Sequence, residues 1–116
     1  MQPRRIHPSR DPALLEVMLD AARLAVSFVS GKTLNQYLHD PLLRSAVERQ
    51  VEIIGEAVRF VSGETRARAP HIPWLQIRAQ RHRLAHEFGE VNHAVMWEIA
   101  TVHAPRLIGN LEDLLR

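Results

Sequence analysis

A chain of 116 residues with 46% hydrophobic content has the size of one domain and enough apolar mass to bury a core, which excludes a disordered polypeptide. It contains no cysteine, so neither a disulfide framework nor a thiolate zinc site is available. A formal net charge of +2 makes the whole chain a weak polyanion binder and moves attention to where the charge is concentrated.

Residues 1–10 read as a basic extension carrying Arg4, Arg5 and Arg10. This extension lacks the apolar run of a signal peptide, and no later stretch is apolar for long enough to span a bilayer. A cytoplasmic protein without a membrane partner is the expectation. Residues 11–116 are expected to form a single helical domain. Asp11-Pro12 reads as an N-cap followed by proline at the first helical position. Leu14, Leu15, Met18, Ala22, Ala25 and Val29 then recur at helical spacing, and Gly31 closes the segment. Thr33 to Leu38 fits a short turn of helix. Asp40-Pro41 repeats the start signal, and the spacing of Leu43, Val47, Ile54, Val58 and Val61 predicts a long helix from Pro41 to about Val61, stopped by Gly63. A third long helix is predicted from near Pro73 to about Phe88, with Gly89 as its stop. A fourth begins near Asn92 and carries Val95, Ile99 and Val102. Pro105 breaks or kinks it, and Leu107, Leu111, Leu114 and Leu115 continue a last helical stretch. No segment alternates with a two-residue period, so strands are not expected. The predicted architecture is all-α, an antiparallel up-down bundle of about four long helices with a kinked or broken C-terminal helix.

The chemistry concentrates in one window. From Thr65 to His86 the chain holds Arg66, Arg68, Arg78, Arg81 and Arg83 with His71, His82 and His86, and no acidic residue. Arginine offers a fixed fork of donors that fits a phosphate. Histidine gives and takes protons near neutrality. Together they are what metal-free phosphodiester cleavage needs.

Within the third helix Trp74, Ile77, Leu84 and Phe88 define an apolar stripe, and Arg81 falls in its middle. A guanidinium there must pair with a carboxylate such as Glu52 or Glu56, reach solvent along its stem, or face a cavity or a partner subunit. His82 and His86 share a helix face about 40° apart, whereas Arg81 and His86 stand about 140° apart on an ideal helix. A site completed at a two-fold subunit interface satisfies that geometry, which makes a homodimer the expected assembly. His82 and His86 also have the spacing of a metal pair, but the H-E-x-x-H arrangement is absent. Neither a metal nor a cofactor is expected.

The segment Arg49 to Ala57, then Ile72-Pro73-Trp74, Arg81 through Phe88, and Val95-Met96-Trp97-Glu98-Ile99 resembles the HepT-like branch of the HEPN ribonucleases, and the likeness runs from about Asp11 to Leu115. The resemblance implies an all-α toxin that dimerises, cleaves RNA without metal, and is paired with a minimal nucleotidyltransferase antitoxin. In the family motif, R-x4-H-x-Y, Arg81 matches the arginine and His86 the histidine, so these two are the candidate catalytic residues. His82 and Glu56 are auxiliary candidates, and Arg78 and Arg83 are candidate RNA contacts. Phe88 stands where the family has the tyrosine whose hydroxyl receives AMP from the antitoxin in systems of this type. Tyr37 is the chain's single tyrosine. Two functions follow: a metal-independent endoribonuclease toxin, or a non-catalytic module of the same fold that docks a nucleotidyltransferase or holds RNA.

Overall fold

A computed structural model describes residues 10–79 and 91–116. Helix α1 spans Asp11–Val29, α2 Leu34–Leu38, α3 Pro41–Val58 and α4 Gly63–Arg68. Helix α5 covers residues 74–79 up to the limit of the described segment. Helix α6, His93–Glu98, passes through a π-helical segment, Ile99–His103, into α7, Ala104–Leu115. No strand occurs among the described residues. The described residues fold as an all-α domain.

Local signals place most of these boundaries. Thr33 and Gln36 form a reciprocal capping box at the start of α2, with Gln36 N–H donating to Thr33 Oγ1 at 3.1 Å and Thr33 N–H donating to Gln36 Oε1 at 2.9 Å. The Asp40 carboxylate accepts from Leu43 N–H at 3.0 Å, and Asn92 Oδ1 accepts from Val95 N–H at 3.1 Å. Gly31, at φ 75°, ends α1 in the left-handed region that glycine enters without steric cost.

Three boundaries depart from the sequence pattern. Asp11 does not cap α1. It is the helix's first residue, Arg10 takes the cap position without a side-chain bond, and the Asp11 carboxylate turns inward instead. There it accepts from Ser62 N–H at 3.0 Å, from Ser62 Oγ at 2.5 Å and from the Thr65 hydroxyl. Helix α3 ends at Val58, short of Val61, and Gly63 opens α4 in place of stopping α3. Ser62 causes this, because its hydroxyl accepts from Thr65 N–H at 3.2 Å and so caps a new helix. Finally, Pro105 interrupts the C-terminal helix by widening it. Proline has no N–H to offer the carbonyl four residues back. The turn before it uses wider spacing, with Ala104 N–H bonded to the carbonyl of Ile99, five residues earlier.

Helix α1 packs against both α3 and α7. The start of α1 meets the start of α4 through Asp11 and Ser62, and Arg23 of α1 pairs with Glu112 of α7 at 2.8 Å. The apolar interior forms two clusters. One joins Leu15, Met18 and Leu19 of α1 to Ile54 and Val58 of α3, Trp74 of α5 and Leu107 and Leu111 of α7. The other gathers Val29, Tyr37, Val47, Val51, Met96 and Ile99, with Val91 and Trp97 packed against it. Among the described residues no helix is long and apolar enough to cross a membrane.

Candidate active site

The segment that leads into the arginine–histidine motif is firmly seated. Ile72 and Trp74 are 1% and 6% exposed. The Trp74 indole N–H donates to the Ala69 carbonyl at 3.0 Å, which closes the turn between α4 and α5. Ile77, one turn further on, packs against the same cluster as Trp74. The opposite face of α5 carries Leu75 and Arg78, both exposed. The first two members of the stripe read from the sequence therefore do face the core. Arg81, His82, Arg83, His86 and Phe88 follow in the chain and lie outside the described residues.

Glu56 lies half-buried on α3, and both its oxygens accept from Arg59 Nη1, at 3.2 and 3.3 Å. Glu52 pairs with Arg49 at 3.7 Å. Both carboxylates line a groove between α1 and α3 with Leu14, Val17 and Phe60. Arg78 lines neither that groove nor the larger cleft described next, so the structure does not bring Arg78 and Glu56 into one depression.

The larger cleft, about 590 Å³, opens between α1, α3, α5 and the C-terminal helix. Its apolar wall includes Ala25, Ile54, Ile77 and Leu107, and its polar lining is His71, Gln76, His103, Arg106 and Asn110. Ala79, two residues before Arg81 in the chain, also lines it. Of these polar groups the sequence pattern marked only His71, as part of the acid-free window. His103 and Arg106 flank Pro105, and their basic pairing at a three-residue spacing was the available signal. Among the described residues no group of three or more histidine or carboxylate side chains is placed to hold a metal ion.

Tyr37 is fully buried, with its ring 5.4 Å from Trp97 and its hydroxyl without a hydrogen-bond partner among the described residues. Burial pushes the phenol well above its ordinary pKa; Glu48 adds to this and Arg44 opposes it. A phenol so placed offers neither access nor a nucleophilic oxygen. Incubation with a partner nucleotidyltransferase, ATP and magnesium should therefore leave Tyr37 unmodified, as peptide mapping after intact-mass measurement will read. An AMP-sized gain on the Tyr37 peptide of folded protein is the contrary result. Tyr37→Phe should change stability by no more than about 1 kcal/mol, because it removes a hydroxyl that makes no bond.

The family described as Ribonuclease HepT-like matches residues 18–114, from the middle of α1 to the end of α7. The chain belongs to the Ribonuclease HepT-like family. It is similar to a protein named "Putative RNase" from Caldanaerobacter subterraneus subsp. tengcongensis, with 32% identity over 102 residues that cover 88% of this chain and 91% of the relative. A protein named "Probable ribonuclease HepT" from Thermococcus cleftensis is 31% identical over 100 residues, covering 86% of this chain and 91% of its own. A "Putative RNase" of Methanocaldococcus jannaschii is 27% identical over 110 residues, covering 94% and 91%. No solved structure matches the chain. The family match spans the positions of Arg81 and His86 and the helix start at Trp74.

Proposed function

We propose that this protein is a metal-independent endoribonuclease and the toxin of a toxin–antitoxin pair. One observation carries the reading: a family match over residues 18–114 that includes both Arg81 and His86. The RNase names of its relatives point the same way. In the proposed reaction the ribose 2′-oxygen attacks the adjacent phosphorus, a bond forms between them, and the bond from phosphorus to the 5′-oxygen breaks. His86 serves as the general base that takes the 2′-OH proton or as the general acid that protonates the leaving 5′-oxygen. The second copy's histidine at the same position, or His82, takes the complementary role. Arg81 stabilises the negative charge that builds on the phosphoryl oxygens. The products are a 2′,3′-cyclic phosphate, or the phosphate it hydrolyses to, and a 5′-hydroxyl. Arg78 and Arg83 hold the RNA backbone, and Glu56 assists from α3.

The antitoxin is a minimal nucleotidyltransferase. Phe88 offers no oxygen to receive AMP, so this partner neutralises the toxin by binding over the basic site or by modifying another residue. The functional unit is a homodimer whose two-fold axis brings both copies of the motif to one cleft. Sedimentation at micromolar concentration should show a dimer, and a monomer there counts against the assembly. Cleavage of RNA in the presence of EDTA tests the activity. RNA binding without cleavage would favour the non-catalytic module, a reading that draws its support from Phe88 in place of the modifiable tyrosine.

A further inference from the structure

The 590 Å³ cleft beside α5 has the size of a small-molecule pocket and a lining suited to a nucleotide. Its wall is apolar where Ala25, Ile54, Ile77 and Leu107 meet, which accepts the flat face of a base. Its polar groups are two imidazoles, His71 and His103, two amides, Gln76 and Asn110, and the guanidinium of Arg106. No carboxylate is among its described lining residues. Glu98 has its Oε1 3.8 Å from the Nε2 of His103. Aromatic carbocycles are missing from the described lining. Unpaired RNA bases also stack on histidine rings and arginine planes, and the cleft supplies both. Side-chain amides carry both donors and acceptors and can read a base edge. The cleft also abuts the motif along the chain. Ala79 lines it, Arg81 follows two residues later, and two residues of chain span at most about 7 Å.

We propose that this cleft is a nucleotide subsite that takes one unpaired base of single-stranded RNA next to the scissile phosphate. The base enters the apolar wall against His71 and His103. Arg106 holds the phosphate that follows, and Gln76 and Asn110 give the site its base preference. This rests on the ribonuclease reading above and adds to it where the RNA lies and what selects the base.

The test separates binding from cleavage. A 2′-O-methyl RNA tetranucleotide cannot supply the attacking 2′-oxygen, so its affinity is measured whether or not the protein is a nuclease. With this probe Arg106→Ala should weaken binding about tenfold, the scale of one hydrogen bond to a charged group. Arg106→Lys should recover part of that loss. Asn110→Leu should alter the ranking of tetranucleotides that differ in one base. The methyl resonances of Ile54, Ile77 and Leu107 should shift as the probe is added. Circular dichroism confirms that each variant is folded. If folded Arg106→Ala and Asn110→Leu bind like wild type, or if the three methyl groups do not respond, the subsite is elsewhere and the inference falls, even if RNA is cleaved. Free mononucleotides that shift these methyls when the tetranucleotide does not would also overturn it, by making the cleft a small-molecule site. Cleft-dependent binding without any cleavage would keep the subsite and remove the nuclease.

Discussion

Replacing His86 with alanine should lower RNA cleavage by at least about a hundredfold, the scale expected for one positioned acid or base. Arg81→Ala should cost at least as much, about a hundredfold, because a single preorganised donor aimed at developing charge carries that weight. The two losses should not multiply. Proton transfer and charge stabilisation act on one transition state, and residues that work as a unit give a double variant less impaired than the product of the singles. His82→Asn should cost less than either, since His82 is an auxiliary candidate whose role the second copy's His86 can fill. Gel analysis of a single-stranded substrate in EDTA reads the loss, and end-group analysis reads the cyclic phosphate. Circular dichroism and sedimentation should show both alanine variants folded and dimeric. Cleavage that survives in folded His86→Ala would falsify the proposed mechanism.

The largest effect on stability is expected at Asp11. Its carboxylate is 3% exposed and accepts from the Ser62 backbone, the Ser62 hydroxyl and the Thr65 hydroxyl, joining the start of α1 to the start of α4 across 51 residues of chain. Asp11→Ala leaves three donors without their acceptor. A buried donor left unsatisfied costs 1–3 kcal/mol, so a total loss of about 3 kcal/mol is expected after local relaxation. That is a large share of the 5–15 kcal/mol typical of a domain, and it should lower Tm by roughly 10–20 °C. Asp11→Asn should lose less, because one oxygen still accepts and the hydroxyls can rotate. Burial by itself would raise the pKa of this carboxyl. The hydrogen bonds from the Ser62 and Thr65 side chains and the Ser62 backbone, together with the charge of Arg68, outweigh burial and hold it below its ordinary value of 3.8. A depressed folded-state pKa means that the charged form supports the fold. The stabilisation is fully present above the unfolded-state value and is lost as pH falls through the folded one. The gap in stability between wild type and Asp11→Ala should therefore be constant near neutrality and narrow below about pH 4. Urea titrations at several pH values measure it, and a gap independent of acidity would mean that Asp11 acts as a neutral group.

What could be read in the chain beforehand was what neighbouring residues decide among themselves. Asp40 before Pro41, Thr33 three residues before Gln36, Asn92 before α6 and Gly31 after α1 are signals complete within a few positions, and each places its boundary. Asp11 misleads because its partners are Ser62 and Thr65, and no local pattern reports a bond between residues so far apart. Ser62-Gly63 carries two meanings at once. Glycine after an apolar run reads as a stop, yet the serine before it starts α4. Pro105 announces an interruption but not its form, the five-residue hydrogen bond from Ala104 N–H to the Ile99 carbonyl. The arginine–histidine motif is legible from spacing and from likeness to a family, while its three-dimensional geometry lies outside the described residues. The cleft escapes a linear reading altogether, since Ala25, Ile54, Ile77 and Leu107 come together from four helices.

The division of the interior into two clusters has a mechanical consequence for the proposed catalysis. Residues 80–90, which hold Arg81 and His86, are entered from Ile77 and left through Val91. Ile77 is moored in the cluster of Trp74, Ile54 and Leu107, and Val91 in that of Tyr37, Val47 and Met96. The described residues on the two sides of the motif thus pack into two separate clusters. Under the proposed mechanism, a cavity opened at Met96 or Trp74 should displace one cluster relative to the other and lower cleavage, since catalytic groups depend on near-ångström alignment. Turnover by the proposed nuclease should then respond to packing at residues outside the proposed RNA contacts.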